Sequence, residues 1–212
     1  MFADVKTIIF DLDGTLYVSD ALAKEIKASS CRYIASIKGV DEAAARLLIE
    51  GAQKRLSATS GQETPLTVAC TDLGGDLRRL HSHFAAEIRP EPYLPRDETL
   101  ISFLARLAEG YDLYIYTNNN RFLSDRIMGS LGITEFFRGV FTVEDYWRPK
   151  PDMPVLERIF SRIEKSPSEC LFVGDRYDID LRLPEAVGSP VFLVKDMHEL
   201  YLLLQDIVTG KE

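Results

Sequence analysis

The sequence has few of the features that mark secreted, membrane and zinc-binding proteins. Its three cysteines, Cys31, Cys70 and Cys170, are far apart and form no C-x-x-C pair, which favours reduced thiols over a disulfide framework or a zinc site. No apolar run approaches the roughly 20 residues that cross a bilayer, and no basic segment followed by an apolar core opens the sequence. We therefore expect a cytoplasmic protein with no membrane partner.

Positive charge is also scarce. The 212 residues include 25 Lys and Arg against 33 Asp and Glu, which gives a formal net charge of −8. A dispersed acidic balance argues against nucleic acid as a partner, although it allows a small basic pocket. The length suits one large domain, or a core domain with a smaller insert. These features leave the oligomeric state open.

Short apolar runs alternate with helical patterns through most of the chain. The runs lie at 7–10, 113–116, 139–142, 170–173 and 190–194. Between them, apolar residues recur at helical spacing, as in the segment 100–107. Strands that are apolar without alternation, each followed by a helix, indicate a parallel sheet covered on both faces. The pattern predicts an α/β fold with a Rossmann-like, doubly wound parallel sheet.

Residues 18–94 break this alternation. They form four helical patterns with no convincing strand between them, and the proline-rich segment 89–95 is typical of a linker that returns to the sheet. A helical insert therefore separates the first strand from the second. We predict a discontinuous core domain, residues 1–17 and 95–212, and an inserted α-helical cap domain, residues 18–94.

The first predicted strand leads directly into two aspartates, Asp11 and Asp13. Residues i and i+2 of a strand point to the same side, roughly 6–7 Å apart, and two such charges repel by roughly 2–3 kcal/mol at an effective dielectric constant of about 20. A hard divalent cation relieves that repulsion, and ligands that are all oxygens favour Mg²⁺. A hairpin turn at Asp13-Gly14 is the alternative, but a helical pattern follows it rather than a matching strand.

Polar residues that suit phosphate chemistry follow the other predicted strands. They are Thr117 and Asn118 after the second, Lys150 on the loop after the third, and Asp175, Asp178 and Asp180 after the fourth. Each alone has an ordinary explanation as a helix cap, a turn or a solvated surface charge. Parallel sheets, however, bind ligands beyond the carboxyl ends of their strands, and right-handed crossovers bring these loops to one edge. Their joint placement indicates a site for magnesium and phosphate.

These residues also carry a resemblance to a known family. The motif "DLDGTLY" at 11–17, with Thr117, Lys150 and "GDRYDID" at 174–180, resembles the phosphatase branch of the haloacid dehalogenase-like superfamily. The likeness covers the predicted core, and the insert lies where that family carries a helical cap. It implies a Mg²⁺-dependent phosphatase that hydrolyses a small-molecule phosphate monoester through an aspartyl-phosphate. Family members that cleave carbon–halogen bonds lack an acid at the position of Asp13, so its presence favours phosphoryl chemistry.

The resemblance implies a role for each residue that would contact the reacting phosphate. Asp11 is implied as the nucleophile, and Asp13 as the group that protonates the leaving oxygen and then activates water. Thr117 and Asn118 are implied to bind phosphoryl oxygens. Lys150 is implied to balance the charge of the nucleophile and the phosphoryl group.

The same resemblance implies a metal site. Mg²⁺ would be bound by Asp11, Asp175 and the backbone carbonyl of Asp13. Asp180 would orient Lys150 or a metal-bound water. Asp178 is an alternative for that last role, and the sequence leaves the two unresolved.

The substrate is less defined by the sequence. The segment 89–118 weakly resembles the pyrimidine 5′-nucleotidases, but Gly14 and Gly174 replace residues common there. A nucleoside monophosphate and a sugar phosphate or phosphoglycolate are therefore both tenable, with a phosphomutase as an alternative reaction. A non-catalytic binding protein with the same fold is a further alternative, although it would be expected to have lost a catalytic residue. Basic residues predicted on the cap helices are candidates for binding a second anionic group of the substrate: Arg46, Lys54, Arg55, Arg78 and Arg79.

Overall fold

The computed structural model describes the backbone of residues 4–209 and the side chains of residues 4–203. Within this range, five strands form one parallel sheet. They are β1 (Thr7–Phe10), β2 (Asp112–Tyr116), β3 (Gly139–Phe141), β4 (Cys170–Gly174) and β5 (Val191–Leu193), in the spatial order β3-β2-β1-β4-β5. Each predicted run matches its strand to within one residue at either end. The predicted α/β, Rossmann-like fold is confirmed.

Residues 18–94 form four α-helices, as predicted: α1 (Asp20–Lys38), α2 (Glu42–Ser60), α3 (Leu66–Asp72) and α4 (Leu77–Glu87). The side chains of Ser19, Asp41 and Asp76 accept backbone hydrogen bonds at the starts of α1, α2 and α4, which satisfies donors that a helix leaves free. Residues 18–94 are all described and contain no strand. The division into a cap domain and a core domain at residues 17/18 and 94/95 stays a prediction.

The remaining helices cover the sheet. They are α5 (Glu98–Ala108), α6 (Arg121–Leu131), α7 (Val143–Tyr146), α8 (Met153–Ile163), α9 (Arg182–Ala186) and α10 (Met197–Thr209). In α5 the side chain of Asp97 accepts from the amides of Thr99 and Leu100, and the predicted apolar stripe of 100–107 is buried. None of the helices in the described residues is long and apolar enough to cross a membrane.

The central strand β1 is buried on both faces. Ile8 and Phe10 belong to the larger apolar cluster, which extends into the cap, whereas Ile9 packs in the cluster on the opposite face with residues of α8. This double burial explains why the strand is apolar at every position. The register pairs Phe10 with Ile115 of β2 and Val173 of β4, so all three strands reach the same edge of the sheet together.

Candidate active site

The side chains predicted to act on phosphate lie beyond the carboxyl ends of β1, β2 and β4. Asp11 is the first residue after β1, and its amide donates to the carbonyl of Val173 in β4 at 2.8 Å. Thr117 is the first residue after β2, and its amide donates to the carbonyl of Phe141 in β3 at 2.9 Å. The backbone of both residues is therefore held by the neighbouring strand, so their positions follow from the sheet itself.

Lys150 links two of the predicted acids. Its side chain is 2% exposed, and its Nζ donates to Asp11 Oδ1 at 2.6 Å, to Asp180 Oδ1 at 2.6 Å and to the carbonyl of Tyr116 at 2.8 Å. An ammonium group has three donors, and all three are used. Burial alone would lower the pKa of Lys150, but the charges of Asp11 and Asp180 outweigh it and the pKa is raised. Lys150 is thus a fixed cation at the end of β1.

The two oxygens of Asp11 differ. Oδ1 accepts from Lys150, whereas the neighbour of Oδ2 is the hydroxyl of Thr15, at a long 3.5 Å. Burial raises the pKa of Asp11 to about 7, with Lys150 opposing the shift and Asp180 adding to it. The carboxylate therefore has one oxygen held and one available, in surroundings that disfavour its charge unless a further cation is near.

A group of three acids fits a divalent cation. Carboxylate oxygens of Asp11, Asp175 and Asp180 lie within 4.8 Å of one another. Asp175 Oδ1 is buried and has no hydrogen-bond partner among the described residues, and burial raises the pKa of Asp175 to about 6. Gly14 has φ +85° and lies so close that a Cβ there would collide with the Asp175 carboxylate. An unpartnered, buried carboxylate oxygen beside two other carboxylates is a donor set that suits Mg²⁺.

The carboxylate of Asp13 is not one of these three and has other partners. Its Oδ1 accepts a short hydrogen bond from the hydroxyl of Tyr17, and its Oδ2 accepts from Asn119 Nδ2 at 2.6 Å. Burial raises the pKa of Asp13, although both of these hydrogen bonds oppose the shift. A carboxyl group with a raised pKa and a fixed orientation is suited to proton transfer. Sequence reasoning did not identify Tyr17 and Asn119 as the residues that hold the Asp13 carboxyl group. The signal that could have identified Tyr17 is its position four residues after Asp13.

Asn118 and Thr117 shape the loop after β2. Asn118 Oδ1 accepts from the amide of Lys150 at 2.6 Å, and its Nδ2 donates to the Lys150 carbonyl at 3.3 Å. The Asn118 side chain therefore fixes the loop that carries Lys150. Thr117 is buried, and its hydroxyl accepts from the amide of Asn119 at 3.2 Å. Phosphate binding by Thr117 and Asn118 stays a prediction.

The two acids that the sequence left unresolved face in different directions. Asp180 is buried and bonded to Lys150, and its Oδ2 accepts from the amide of Arg176 at 3.1 Å. Asp178 Oδ2 instead accepts from the amide of Glu63, in the cap, at 3.0 Å. The turn at Tyr177–Leu181 is a π-helix, so its residues are not spaced as in an α-helix. Of the two, Asp180 is the one placed to orient Lys150.

Arg176 is a basic residue near the acids that sequence reasoning missed. Its Nε lies 3.7 Å from Asp175 Oδ1, and its Nη1 lies 3.8 Å from Glu63 Oε1. Two of the cap cations considered from the sequence have other contacts: Arg55 forms an ion pair with Asp72, and Arg78 lies 4.6 Å from the ring of Trp147. The signal for Arg176 was its place directly after Asp175.

This chain is similar to known hydrolases and phosphatases. The family model described as haloacid dehalogenase-like hydrolase matches residues 5–188. The glyceraldehyde 3-phosphate phosphatase of Methanothermobacter thermautotrophicus is 25% identical over 203 residues, which cover 90% of this chain and 85% of that protein. The phosphoglycolate phosphatase of Escherichia coli strain K12 is 26% identical over 204 residues, which cover 89% and 81%.

Solved structures show the same fold. A HAD phosphatase from Thermococcus onnurineus matches with a TM-score of 0.62 at 20% identity, covering 98% of this chain and 99% of that one. A 2-haloacid dehalogenase from Pseudomonas syringae pv. Tomato matches with a TM-score of 0.57 at 19% identity, covering 97% and 99%. Because the fold is shared by proteins described with different activities, the choice among activities has to come from the site residues.

Proposed function

The chain belongs to the haloacid dehalogenase-like hydrolases and is a phosphoric monoester hydrolase, and we propose that it acts on a small phosphate ester through phosphorylation of Asp11, with Mg²⁺ as cofactor. The observation that carries this proposal is the arrangement around Asp11. One of its oxygens is held by Lys150 at 2.6 Å, and the hydrogen bond that the other accepts among the described residues is a long one, from the Thr15 hydroxyl at 3.5 Å. A carboxylate that is oriented on one side and free on the other is ready to attack phosphorus.

The residues around Asp11 account for the charges of the first step. Lys150 balances the negative charge on Asp11 and on the incoming phosphoryl group, and Asp180 holds the Lys150 ammonium on its far side. Mg²⁺ bound by Asp11, Asp175 and the backbone carbonyl of Asp13 would neutralise the acids and polarise a phosphoryl oxygen. Thr117 and Asn118 would orient the remaining phosphoryl oxygens.

Asp13 would serve both steps. In the first it would give its proton to the leaving oxygen as Asp11 bonds to phosphorus. In the second, the carboxylate so formed would take a proton from the water that attacks the phosphorylated Asp11, which releases phosphate and restores both acids. Its raised pKa and its hydrogen bonds from Tyr17 and Asn119 support this role.

The named relatives support a small substrate. They include phosphatases of glyceraldehyde 3-phosphate and of phosphoglycolate, in which the leaving group has three carbons or two. We therefore place a short-chain phosphate ester ahead of a nucleoside monophosphate as the substrate class. Transfer to a sugar, as in a phosphomutase, remains the alternative fate of the phosphoryl group.

The proposal is tested by measuring phosphate release from p-nitrophenyl phosphate and from short-chain phosphate esters, with Mg²⁺ and with EDTA. We expect release with Mg²⁺ only, and loss of roughly 1,000-fold or more in Asp11→Asn, because the amide is a poor nucleophile. Asp178→Asn is the matched control, since Asp178 faces the cap, and it should change activity by less than about threefold. Equal losses in both variants, or turnover that survives Asp11→Asn, would contradict the nucleophile assignment. No release from any ester by the pure protein would favour a non-catalytic binding role.

A further inference from the structure

Arg176 places a guanidinium group between the acids of the site and the cap. Its backbone is fixed, because its amide donates to Asp180 Oδ2 at 3.1 Å. Its side chain is held loosely, because the nearest carboxylate oxygens, on Asp175 and Glu63, lie 3.7 and 3.8 Å away. These distances exceed hydrogen-bonding range, and in the described part of the chain this guanidinium donates no hydrogen bond. Its donors are therefore available to a ligand.

The charge of Arg176 acts directly on the reaction centre. Burial raises the pKa of Asp11, Asp13 and Asp175, and the positive charge of Arg176 opposes the shift at all three. Lys150, by contrast, has all three of its donors bound to protein oxygens. Of these two cations, Arg176 is the one with unused hydrogen-bonding capacity.

The cap touches the core on both sides of Asp11. On the β4 side, the amide of Glu63 donates to Asp178, and Arg182 Nη2 donates to Gln62 Oε1 at 2.6 Å. On the β2 side, Asn120 Nδ2 donates to the carbonyl of His81 at 3.1 Å. Arg176 lies on the β4 side, between Asp175 and Glu63, so a leaving group that projects from the phosphoryl group towards that side of the cap would meet its guanidinium group.

We propose that Arg176 binds a carboxylate on the leaving group and thereby makes the enzyme select phosphate esters that carry a second anion, as 2-phosphoglycolate does. This inference rests on the proposed phosphatase function and narrows its substrate class. A guanidinium group presents two parallel donors that match a carboxylate, and a flexible partner such as Glu63, whose side chain is 51% exposed, is readily displaced. Glyceraldehyde 3-phosphate, which has a neutral leaving group, would gain nothing from Arg176.

The test compares two esters of similar size: 2-phosphoglycolate, and ethylene glycol monophosphate, in which an uncharged hydroxymethyl group replaces the carboxylate. In Arg176→Gln, we expect kcat/KM to fall roughly 10- to 100-fold for 2-phosphoglycolate, since a charge-assisted hydrogen bond is lost, and by less than about threefold for the neutral ester. Arg176→Lys, which keeps the charge but not the fork, should lie between the wild type and Arg176→Gln. Arg182→Gln is the matched control. It removes a cation on the same side of the cap, but that cation donates to Gln62, so the ratio of kcat/KM for the two esters should not change.

Glu63→Gln is expected to improve the use of 2-phosphoglycolate, whereas Arg176→Gln is expected to impair it. It removes the charge that competes for Arg176 and that repels an incoming carboxylate. We expect KM for 2-phosphoglycolate to fall about two- to fivefold, with no such change for the neutral ester.

Binding of 3-phosphonopropionate, the hydrolysis-resistant analogue of 2-phosphoglycolate, gives a readout that does not depend on turnover. Isothermal titration should show weaker binding of this analogue to Arg176→Gln, with no change for propylphosphonate, which lacks the carboxylate. Equal losses on both esters and both analogues would mean that Arg176 serves the acids of the site and would overturn the inference, as would unchanged selectivity in Arg176→Gln. Release of phosphate from p-nitrophenyl phosphate but not from 2-phosphoglycolate would overturn this inference alone, whereas failure of the wild-type enzyme on all of these esters would reject the proposed function.

Discussion

At the edge of the sheet, Lys150 is 2% exposed and donates to three oxygens, whereas in the cap His81 is 1% exposed and neither of its ring nitrogens has a partner among the described residues. The two side chains are equally buried, but only one is satisfied. In the core, the strands fix the backbone on both sides of the charge, so its partners can be placed accurately. No strand of the described chain holds the backbone around His81, and aromatic rings, those of Phe84 and Trp147, lie beside its ring.

The two regions also differ in their ion pairs. The pairs of Lys150 are buried, with side-chain exposures of 2% and 3%. Arg55 and Asp72 of the cap form a pair that is 59% and 27% exposed. Solvent screens the second kind of pair, while a buried charge that loses its partner stays uncompensated. The comparison therefore predicts that similar substitutions have very different effects in the two regions.

The largest effect is expected for Lys150→Met. It leaves Asp11 and Asp180 buried without their shared cation, and we expect the free energy of unfolding to fall by about 3–5 kcal/mol. Arg55→Gln in the cap should lower it by less than about 1 kcal/mol. Denaturant unfolding in EDTA, at a pH above the pKa of Asp11, measures both variants.

Equal effects of Lys150→Met and Arg55→Gln would contradict this prediction, since burial would then not govern the free-energy cost of losing an ion-pair partner. Lys150→Met should also abolish phosphate release, whereas Arg55→Gln should not affect it. A Lys150→Met protein that keeps its stability in EDTA would show that the two acids find another way to neutralise their charge.

The sheet and the acids at its edge could be read from the sequence because both depend on local order. A run of apolar residues ends at Asp11, and another ends just before Asp175. Such runs predict buried parallel strands, and the loops after the carboxyl ends of parallel strands lie at one edge of the sheet. The proximity of Asp11, Asp175 and Lys150 follows from the same topology. For this reason the predicted fold and the clustering of these residues need no knowledge of side-chain packing.

The second largest effect is a pH dependence of the stability that arises from His81. Burial lowers the pKa of His81 to about 4 in the folded protein, against 6.5 for a solvated histidine side chain. Because the folded state disfavours the charged ring, stability from this group is complete above about pH 6.5 and is lost as the pH falls towards 4. Between about pH 7.5 and about pH 5 the loss should be about 2 kcal/mol.

His81→Leu should remove that loss. The measurement is the free energy of unfolding of wild type and variant at both pH values. The titrations of Asp11 and Asp175, whose raised pKa values act in the opposite direction, cancel in the difference between the two proteins. A wild-type protein that loses no more stability than His81→Leu at acidic pH would show that the ring is solvated or partnered, and the contrast with Lys150 would disappear.

The contacts between cap and core could not be read from the sequence. Arg176 and Glu63 are separated by more than a hundred residues, as are Asp178 and Glu63. No periodicity links such positions, and a lone basic residue in a loop is usually solvated. The π-helical turn at Tyr177–Leu181, which directs Asp178 to the cap and Asp180 to Lys150, also has no pattern that distinguishes it from an α-helix. These features depend on tertiary packing and become visible only in the folded structure.

The smallest effect on stability is expected at two glycines with positive φ, of which one lies beside the acids of the site and the other does not. Gly14, beside the acids, and Gly39, at the end of α1 in the cap, have φ values of +85° and +68°, and a Cβ at Gly39 would have nothing within 4 Å. Replacing either by Ala should therefore cost about 1 kcal/mol of stability from the positive φ alone.

At Gly14 the added methyl group also collides with the Asp175 carboxylate, so Gly14→Ala should weaken Mg²⁺ binding about 10-fold or more, whereas Gly39→Ala should not affect it. Thermal unfolding measures the loss of stability from the positive φ, and calorimetric titration with Mg²⁺ measures the effect on metal binding. If Gly14→Ala and Gly39→Ala bind Mg²⁺ with equal affinity, Asp175 is not held against Gly14 when the metal binds, and the edge of the sheet is less rigid than its hydrogen bonds imply.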